Sequence, residues 1–309
     1  MNASILPKRT TILHVRSKDA DLNGPLNTDM NILLKAPVTT SPTEVCVISV
    51  VSAEIPYSFY NISSNLGNNI IHYDSTSYDL GSSNYDINRL TTVLNTNLPV
   101  AVTWSKYTFK MTFTNNTTST VTIKFSENPK LAQVLGFQPL NQTISVGGNI
   151  ASDGIIDLAT IHSVFIKSNI STGNVLSTRL GNSSILQKVS CDVNFGGIIY
   201  QDSDDHIQRT LTTANIIDSI NLKLTDQNNI TLDMNGVNYE LAILFSIYDA
   251  VNDTVLNQDR PDRRVEVDTA VEQPGGDIDD SHVIEDETEV EQVVKSTMGD
   301  HLLDLLKEN

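Results

Sequence analysis

The sequence predicts a mainly β protein of the sandwich type, interrupted by a small α+β insertion and followed by a disordered acidic tail. Composition is the first observation behind that prediction. Hydrophobic residues make up 39% of the 309 and charged residues only 18%. Asn, Ser and Thr supply the rest of the polarity, and they favour turns, caps and strand edges over helix interiors. The second observation is the recurrence of short Thr-, Val- and Ile-containing runs punctuated by Asn and Gly. The third is uneven charge: residues 251–309 hold 17 acidic and 5 basic residues, so −12 of the formal −17 lies in the last fifth of the chain.

Taken in order, residues 1–24 read as a polar arm with one apolar run at 11–15 and a turn at Ser17-Lys18-Asp19-Ala20-Asp21. Residues 30–36 (MNILLKA) predict a strand closed by Pro37. Residues 44–55 (EVCVISVVSAEI) are β-branched and almost continuously apolar, the pattern of a strand covered on both faces by a sandwich core or an interface. Pro56 ends that run, and Tyr57, Phe59 and Tyr60 follow as an aromatic group suited to core packing or to an interface.

The expected insertion occupies residues 62–145. After a short strand at 70–73, a helix is predicted over 85–98: Ile87, Leu90, Leu94 and Leu98 fall at helical spacing, Asn84 caps the start and Pro99 stops it. A hairpin follows, VTWSKYTFKMTFT turning at Asn115-Asn116 and returning as STVTIKF. Lone Trp104 reads as a core or half-buried residue of that hairpin. A second short helix has Asn128 as cap, Pro129 at its first position and Gly136 as its left-handed end.

From Ile150 the pattern is β again, with candidate strands IIDLA, SVFIKSNI, SILQKVSCDVNF, GIIY, DSINLKLTD, NITLDM and YELAILFSIY. Their spacing suits a sandwich spanning 25–250. Residues 256–292 lack aromatics and periodicity and are expected to be disordered. The end of the 251–309 tail reads either as one short amphipathic helix (Met298, Leu302, Leu305, Leu306) or as a frayed terminus, since so short a helix needs a partner.

Reactive chemistry is hard to find. Six scattered histidines include no pair at helical i,i+4 spacing, and there is no zinc-ligand spacing. The glycine pairs lack the lysine and the strand–helix context of a phosphate loop and read as turns. Asp202-Ser203-Asp204-Asp205-His206 offers carboxylates for calcium, yet it lacks the glycine and distal glutamate of an EF-hand loop. Asp202, Asp204 and Asp205 therefore read as a solvated loop ahead of an ion site. No catalytic, cofactor-binding or metal residues are assigned, and an enzyme is not expected. With no clustered Lys and Arg, direct nucleic-acid binding is not expected. No apolar run reaches the length of a bilayer span, and the first residues lack a signal-peptide core. Cys46 and Cys191 lie in apolar strand-like runs and read as reduced thiols, with a disulfide between them as the open alternative.

Four segments carry a family resemblance. They are the opening strand with its Ser17-Lys18-Asp19-Ala20-Asp21 turn and the following strand; ISVVSAEIPYSFYNIS at 48–63; the 85–137 module with its Leu90…Leu94-Asn95 helix, Phe113-Thr114-Asn115 and Leu135-Gly136-Phe137; and 220–245, with Leu222-Lys223-Leu224-Thr225-Asp226 ahead of Leu232 and Asn235-Gly236. In order and spacing these are similar to the single-jelly-roll penton, or minor capsid, proteins of virophages, polinton-like elements and related large eukaryotic DNA viruses. The fourth segment departs from the family by having Asp226-Gln227-Asn228-Asn229 where a glycine-containing turn is expected. The acidic tail has no counterpart.

The resemblance implies a single jelly roll standing upright in a shell, with five copies at each five-fold vertex of an icosahedral virion. Its partners would be its own copies and a neighbouring double-jelly-roll major capsid protein, with assembly in the host cytoplasm and no cofactor. The insertion would project outward as a place for host or fibre contacts. Two other readings stay open: a vertex fibre or receptor-binding knob on the same fold, and a carbohydrate-binding β-sandwich.

Overall fold

The computed structural model describes residues 6–171, 175–177, 181–202, 209–212 and 214–250. The acidic tail, its terminal helix, and Asp204, Asp205 and His206 lie outside the described residues. The chain opens with β1 (Arg9–Arg16), a 3-10 turn at Ser17–Asp19, β2 (Leu22–Asn23), β3 (Asp29–Thr39) and β4 (Glu44–Pro56). A second group follows: β5 (Ile70–Tyr73), β6 (Thr76–Asp79), α1 (Ile87–Asn97), β7 (Ala101–Trp104), β8 (Met111–Thr114), β9 (Val121–Ile123), α2 (Pro129–Val134), β10 (Gln142–Ile144) and β11 (Asn149–Ala151). The chain then returns with β12 (Ser163–Ser168), β13 (Val175–Ser177), β14 (Gly181–Ser183), β15 (Ile185–Ser190), β16 (Ile198–Asp202), β17 (Thr210–Thr212), β18 (Ile216–Thr225) and β19 (Glu240–Asp249).

The sandwich consists of two antiparallel sheets. In one, β19 lies between β1 and β4, and both β16 and β17 pair along the far edge of β4. In the other the order is β15-β12-β18-β3-β2. The last two long strands thus insert between early ones: β19 between β1 and β4, β18 between β3 and β12. Those nested Greek keys define a jelly roll. Period-two alternation sends one set of side chains from each strand inward, including Met30, Ile48, Ile55, Leu222 and Phe245, all fully buried. In β4 the parity changes between Val50 and Ala53, where the pairing with β19 shifts register at Ala242/Ile243, a bulge that keeps the strand's second half facing the core.

Residues between β4 and β12 build a second core. It runs from Ile62 to Ile156 and centres on Leu90 and Leu94 of α1, Leu131 of α2, and the rings of Phe113, Phe125 and Phe137. Phe125 and Phe137 stack at 4.5 Å, and Phe113 meets Phe137 edge-on at 5.4 Å. α2 starts where Asn128 accepts the Leu131 amide, with Pro129 at its first position, and it ends at Gly136 (φ +80°).

The structure differs from the sequence reading at several places. Residues 9–16 are sheet and not arm, because Leu13 and Val15 alternate inward while β1 pairs with β19 along its whole length; its exposed, mostly polar start hides the strand's extent in the sequence. β3 continues through Pro37 to Thr39. The second core extends past residue 145 to Ile156. Asp86, not Asn84, caps α1, because its carboxylate accepts the amides of Asn88 and Arg89. VTWSKYTFKMTFT folds on itself as β7 and β8, so the expected Asn115–Asn116 hairpin does not form; β9 joins β10 and β5 instead. Both arms of a tight hairpin keep the same alternation, so periodicity could not reveal the reversal. IIDLA forms no strand, and NITLDM contributes only a bridge from Thr231 to Thr225.

Candidate interaction surface

The outer face of the first sheet is the unusual surface of the sandwich. An antiparallel sheet with one wet face ordinarily alternates apolar inward and polar outward. In β4, however, Val45 and Val47 alternate outward against Cys46 and Ile48, which are buried. Along the same face Val47 is flanked by Leu211 of β17 and Ser246 of β19, and Ile12 of β1 pairs with Leu244 of β19. Ile198 and Tyr200 of β16 face outward while Ile199 between them is buried. Ile12, Val45, Leu211, Ile198 and Tyr200 are all substantially exposed. Continuous apolarity in residues 44–55 thus comes from a core on one side and an apolar outer face on the other.

That face has an acidic end. Glu54 lies opposite Glu240 across the ladder and opposite Tyr200 on its other side. Two carboxylates directly across an antiparallel pair repel. Arg16 is the cross-strand partner of Glu240, but its guanidinium binds Asp19.

The second sheet is more cationic outward, although Leu22, Leu33 and Ile216 leave exposed apolar surface on it as well. Its outward positions include Lys35, Lys167, Lys188 and Lys223, with Asn31 and Asn221 between them and the carboxylates Asp29 and Asp218. Lys223 pairs with Asp29 at 3.3 Å. Burial and the nearby Lys223 charge hold the Lys167 ammonium below its ordinary pKa.

A polar cleft of about 460 Å³ separates the sandwich from the second core, lined by Lys130, Gln133, Asp157, His162 and Asp226 among others. His162 Nε2 lies 3.3 Å from Asp157, and Lys130 Nζ donates to the Leu66 carbonyl at 2.7 Å. Burial pushes the Asp226 carboxyl up, and the amides of Ile230 and Asn228, donating at 2.7 and 2.8 Å, oppose that shift. Asp226 therefore organises its own turn, and Asn229 closes it in the left-handed conformation (φ +64°) that a glycine would otherwise supply. An Asx turn at 226–229 thus takes the place of the glycine-containing turn that the sequence resemblance leads one to expect.

The remaining candidates separate. Tyr57 and Phe59 are core residues with rings 4.5 Å apart, while Tyr60 stacks on the exposed Phe195 at 6.1 Å. Cys46 and Cys191 are free thiols, and burial raises each to about 11. Asp202 ends β16 exposed, within 3.3 Å of the Tyr200 hydroxyl. Among the described residues no group of three or more His, Cys, Asp or Glu is arranged to hold a metal, and no helix is long and apolar enough to cross a membrane. The two-faced sheet pair was missed as a site from sequence; the one signal that pointed to it was the unbroken apolarity of β4.

No protein-family model matches the chain, and no curated protein matches it. Among solved structures it is similar to the crystal structure of the selenomethionine-labelled mavirus penton protein, at 12% identity and a TM-score of 0.45, over 77% of this chain and 100% of that one. The assignment of a jelly roll rests on the strand order itself.

Proposed function

We propose that the chain is a viral structural protein, a penton whose copies form homopentamers at the five-fold vertices of an icosahedral capsid, and not an enzyme. The observation that carries this reading is the contrast in charge between the two outer sheet faces, each of which also exposes apolar side chains. A ring of identical subunits is heterologous: one surface of each copy must complement a different surface of the next. An apolar face with the Glu54/Glu240 pair at its end, set against a face bearing Lys35, Lys167, Lys188 and Lys223, meets that requirement. Burying the first face would remove Ile12, Val45, Leu211 and Tyr200 from water. The second face would bring cations toward carboxylates that repel each other within one chain.

The resemblance of four sequence segments to virophage-type pentons supports the same reading. The fold alone does not, because jelly rolls host many functions. In this reading the virion is the location and the host cytoplasm the place of assembly. A double-jelly-roll major capsid protein is the neighbour, and the insertion points toward host or fibre contacts. Sedimentation of the purified full chain is expected to give a pentamer, and Leu211→Asp is expected to shift it toward monomer without changing the melting temperature. A trimer would favour a vertex fibre or knob. A pentamer indifferent to both Leu211→Asp and Val45→Asp would remove this face from the interface.

A further inference from the structure

The β7–β8 hairpin ends in a turn that concentrates exposed aromatic surface. Tyr107 is 85% exposed and Phe109 53%, and Ile155 beside them is 63% exposed. Trp104 lies half-buried behind Phe109, ring centres 6.0 Å apart. This turn is not loose. The Ser105 amide donates to the Lys110 carbonyl at 3.0 Å and the Phe109 amide to the Ser105 carbonyl at 2.8 Å. The Ser105 hydroxyl accepts the amides of Tyr107 and Thr108, both at 3.3 Å. The Phe109 carbonyl accepts the Ile156 amide at 2.8 Å, which sets Ile155 next to the tip.

Phe109 has φ +52°, a conformation suited to glycine or asparagine and strained for a bulky side chain. Its ring is half exposed, with one side against Trp104, at a position whose backbone conformation favours glycine. Packing on Trp104 accounts for one side of the ring, and the exposed side is open to something outside the chain. Lys106 and Lys110 flank the aromatics, and Lys106 lies 5.1 Å from the Tyr107 ring centre. The turn itself carries no carboxylate; Asp153 on the adjoining segment accepts the Gln138 amide.

We infer that this tip, Lys106-Tyr107-Thr108-Phe109-Lys110 with Ile155, docks on an anionic lipid surface. Two large exposed side chains on one tight turn, with Ile155 on the adjoining segment, offer far less than the ~800 Å² per partner of a stable protein–protein contact. A lipid interface asks for less: aromatic rings at headgroup depth, with cations drawn to anionic headgroups. The charge also favours this end of the hairpin, because Lys106 and Lys110 flank the exposed rings while the chain as a whole carries −17. This inference goes beyond the capsid reading and stands whether or not five copies close into a ring.

The test uses the full chain with phosphatidylcholine vesicles, with and without phosphatidylserine. Trp104 is the sole tryptophan and lies against the tip, so its emission reports contact directly. The expected result is co-sedimentation with the phosphatidylserine vesicles and a blue shift of the Trp104 emission, both weakened by salt. Phe109→Gly should reduce binding about tenfold while leaving the melting temperature unchanged or higher. Lys106→Ala with Lys110→Ala should remove the preference for phosphatidylserine. No binding to either vesicle, or binding indifferent to Phe109→Gly, overturns the inference. So does attachment to cell surfaces that protease treatment abolishes while vesicles stay unbound, which would assign the tip to a protein receptor.

Discussion

At the scale of single residues, Glu44 joins three strand ends. Its carboxylate accepts the Ser41 amide at 2.9 Å and contacts Lys8 Nζ at 2.9 Å and Arg9 Nη2 at 3.4 Å, while Lys8 also reaches Asp249 at 3.1 Å. The starts of β1 and β4 and the end of β19 meet there. The Ser41 amide first, then Lys8, lower the Glu44 pKa from its ordinary 4.5 to about 2. A group whose folded pKa is depressed contributes stability that is complete above its unfolded pKa and drains away as pH falls through the folded one. Glu44→Gln is therefore expected to lower the melting temperature at neutral pH, with the gap to the parent closing between about pH 4.5 and 2. A series of thermal melts across that range checks it, and a gap that stays constant would mean that the ion contacts contribute nothing. Exposed ion pairs are commonly weak, so the hydrogen bond from Ser41 is the stronger reason to expect an effect.

At the scale of elements, the tightest constraint is the end of α2. A Cβ on Gly136 would lie 2.5 Å from the Gly154 carbonyl oxygen and 2.8 Å from that of Ile155, both backbone atoms, at φ +80°. Gly147 has a similar φ of +71° but open space around it. Gly147→Ala should cost only the left-handed penalty of about 1–2 kcal/mol. Gly136→Ala adds the clash and should cost on the order of 3 kcal/mol or more, read from chemical denaturation. Equal costs would mean that the 154–155 segment gives way easily. Elements of this kind were readable in the sequence: Asn128, Pro129 and Gly136 are local signals, and α2 follows from them alone. The β7–β8 reversal was not, because its turn is set by a lone Ser105, a weak turn signal by itself, and by a phenylalanine in a glycine-like conformation, which is none. β1 showed only as the apolar run at 11–15 and through the family resemblance, since an edge strand with four exposed residues at its start has little apolar pattern to show. The interaction surface was legible only in part. The apolar run of β4 predicts a strand covered on both faces; in the structure one face is core and the other is open, and the lysines are spread over β3, β12, β15 and β18 and meet only through the sheet.

At the scale of the whole molecule, charge and assembly oppose each other. The compact unit of residues 1–252 carries little net charge beside the segment that follows it, where residues 251–309 hold −12 of the total −17. In the chain that segment follows β19, a central strand of the sheet proposed to form the subunit contact. A ring of five copies would bring five such segments to equivalent positions around one axis, each repelling the others. At 0.15 M salt the Debye length is ≈ 8 Å and at 0.01 M about 30 Å, so the repulsion is largely screened in the first case and strong in the second. The full chain is therefore expected to assemble more tightly as salt rises from about 0.01 M to 0.15 M. A chain ending at residue 252 should assemble tightly at low salt already and weaken as salt screens the contact between Glu54, Glu240 and the lysine face. Sedimentation of both chains across the same salt series separates the two effects, because they differ in sign. If the shorter chain also tightened with salt, the apolar face alone would hold the ring and the lysine face would have no part in it. If both chains weakened with salt, the acidic segments would lie too far apart, or too well neutralised, to oppose closure.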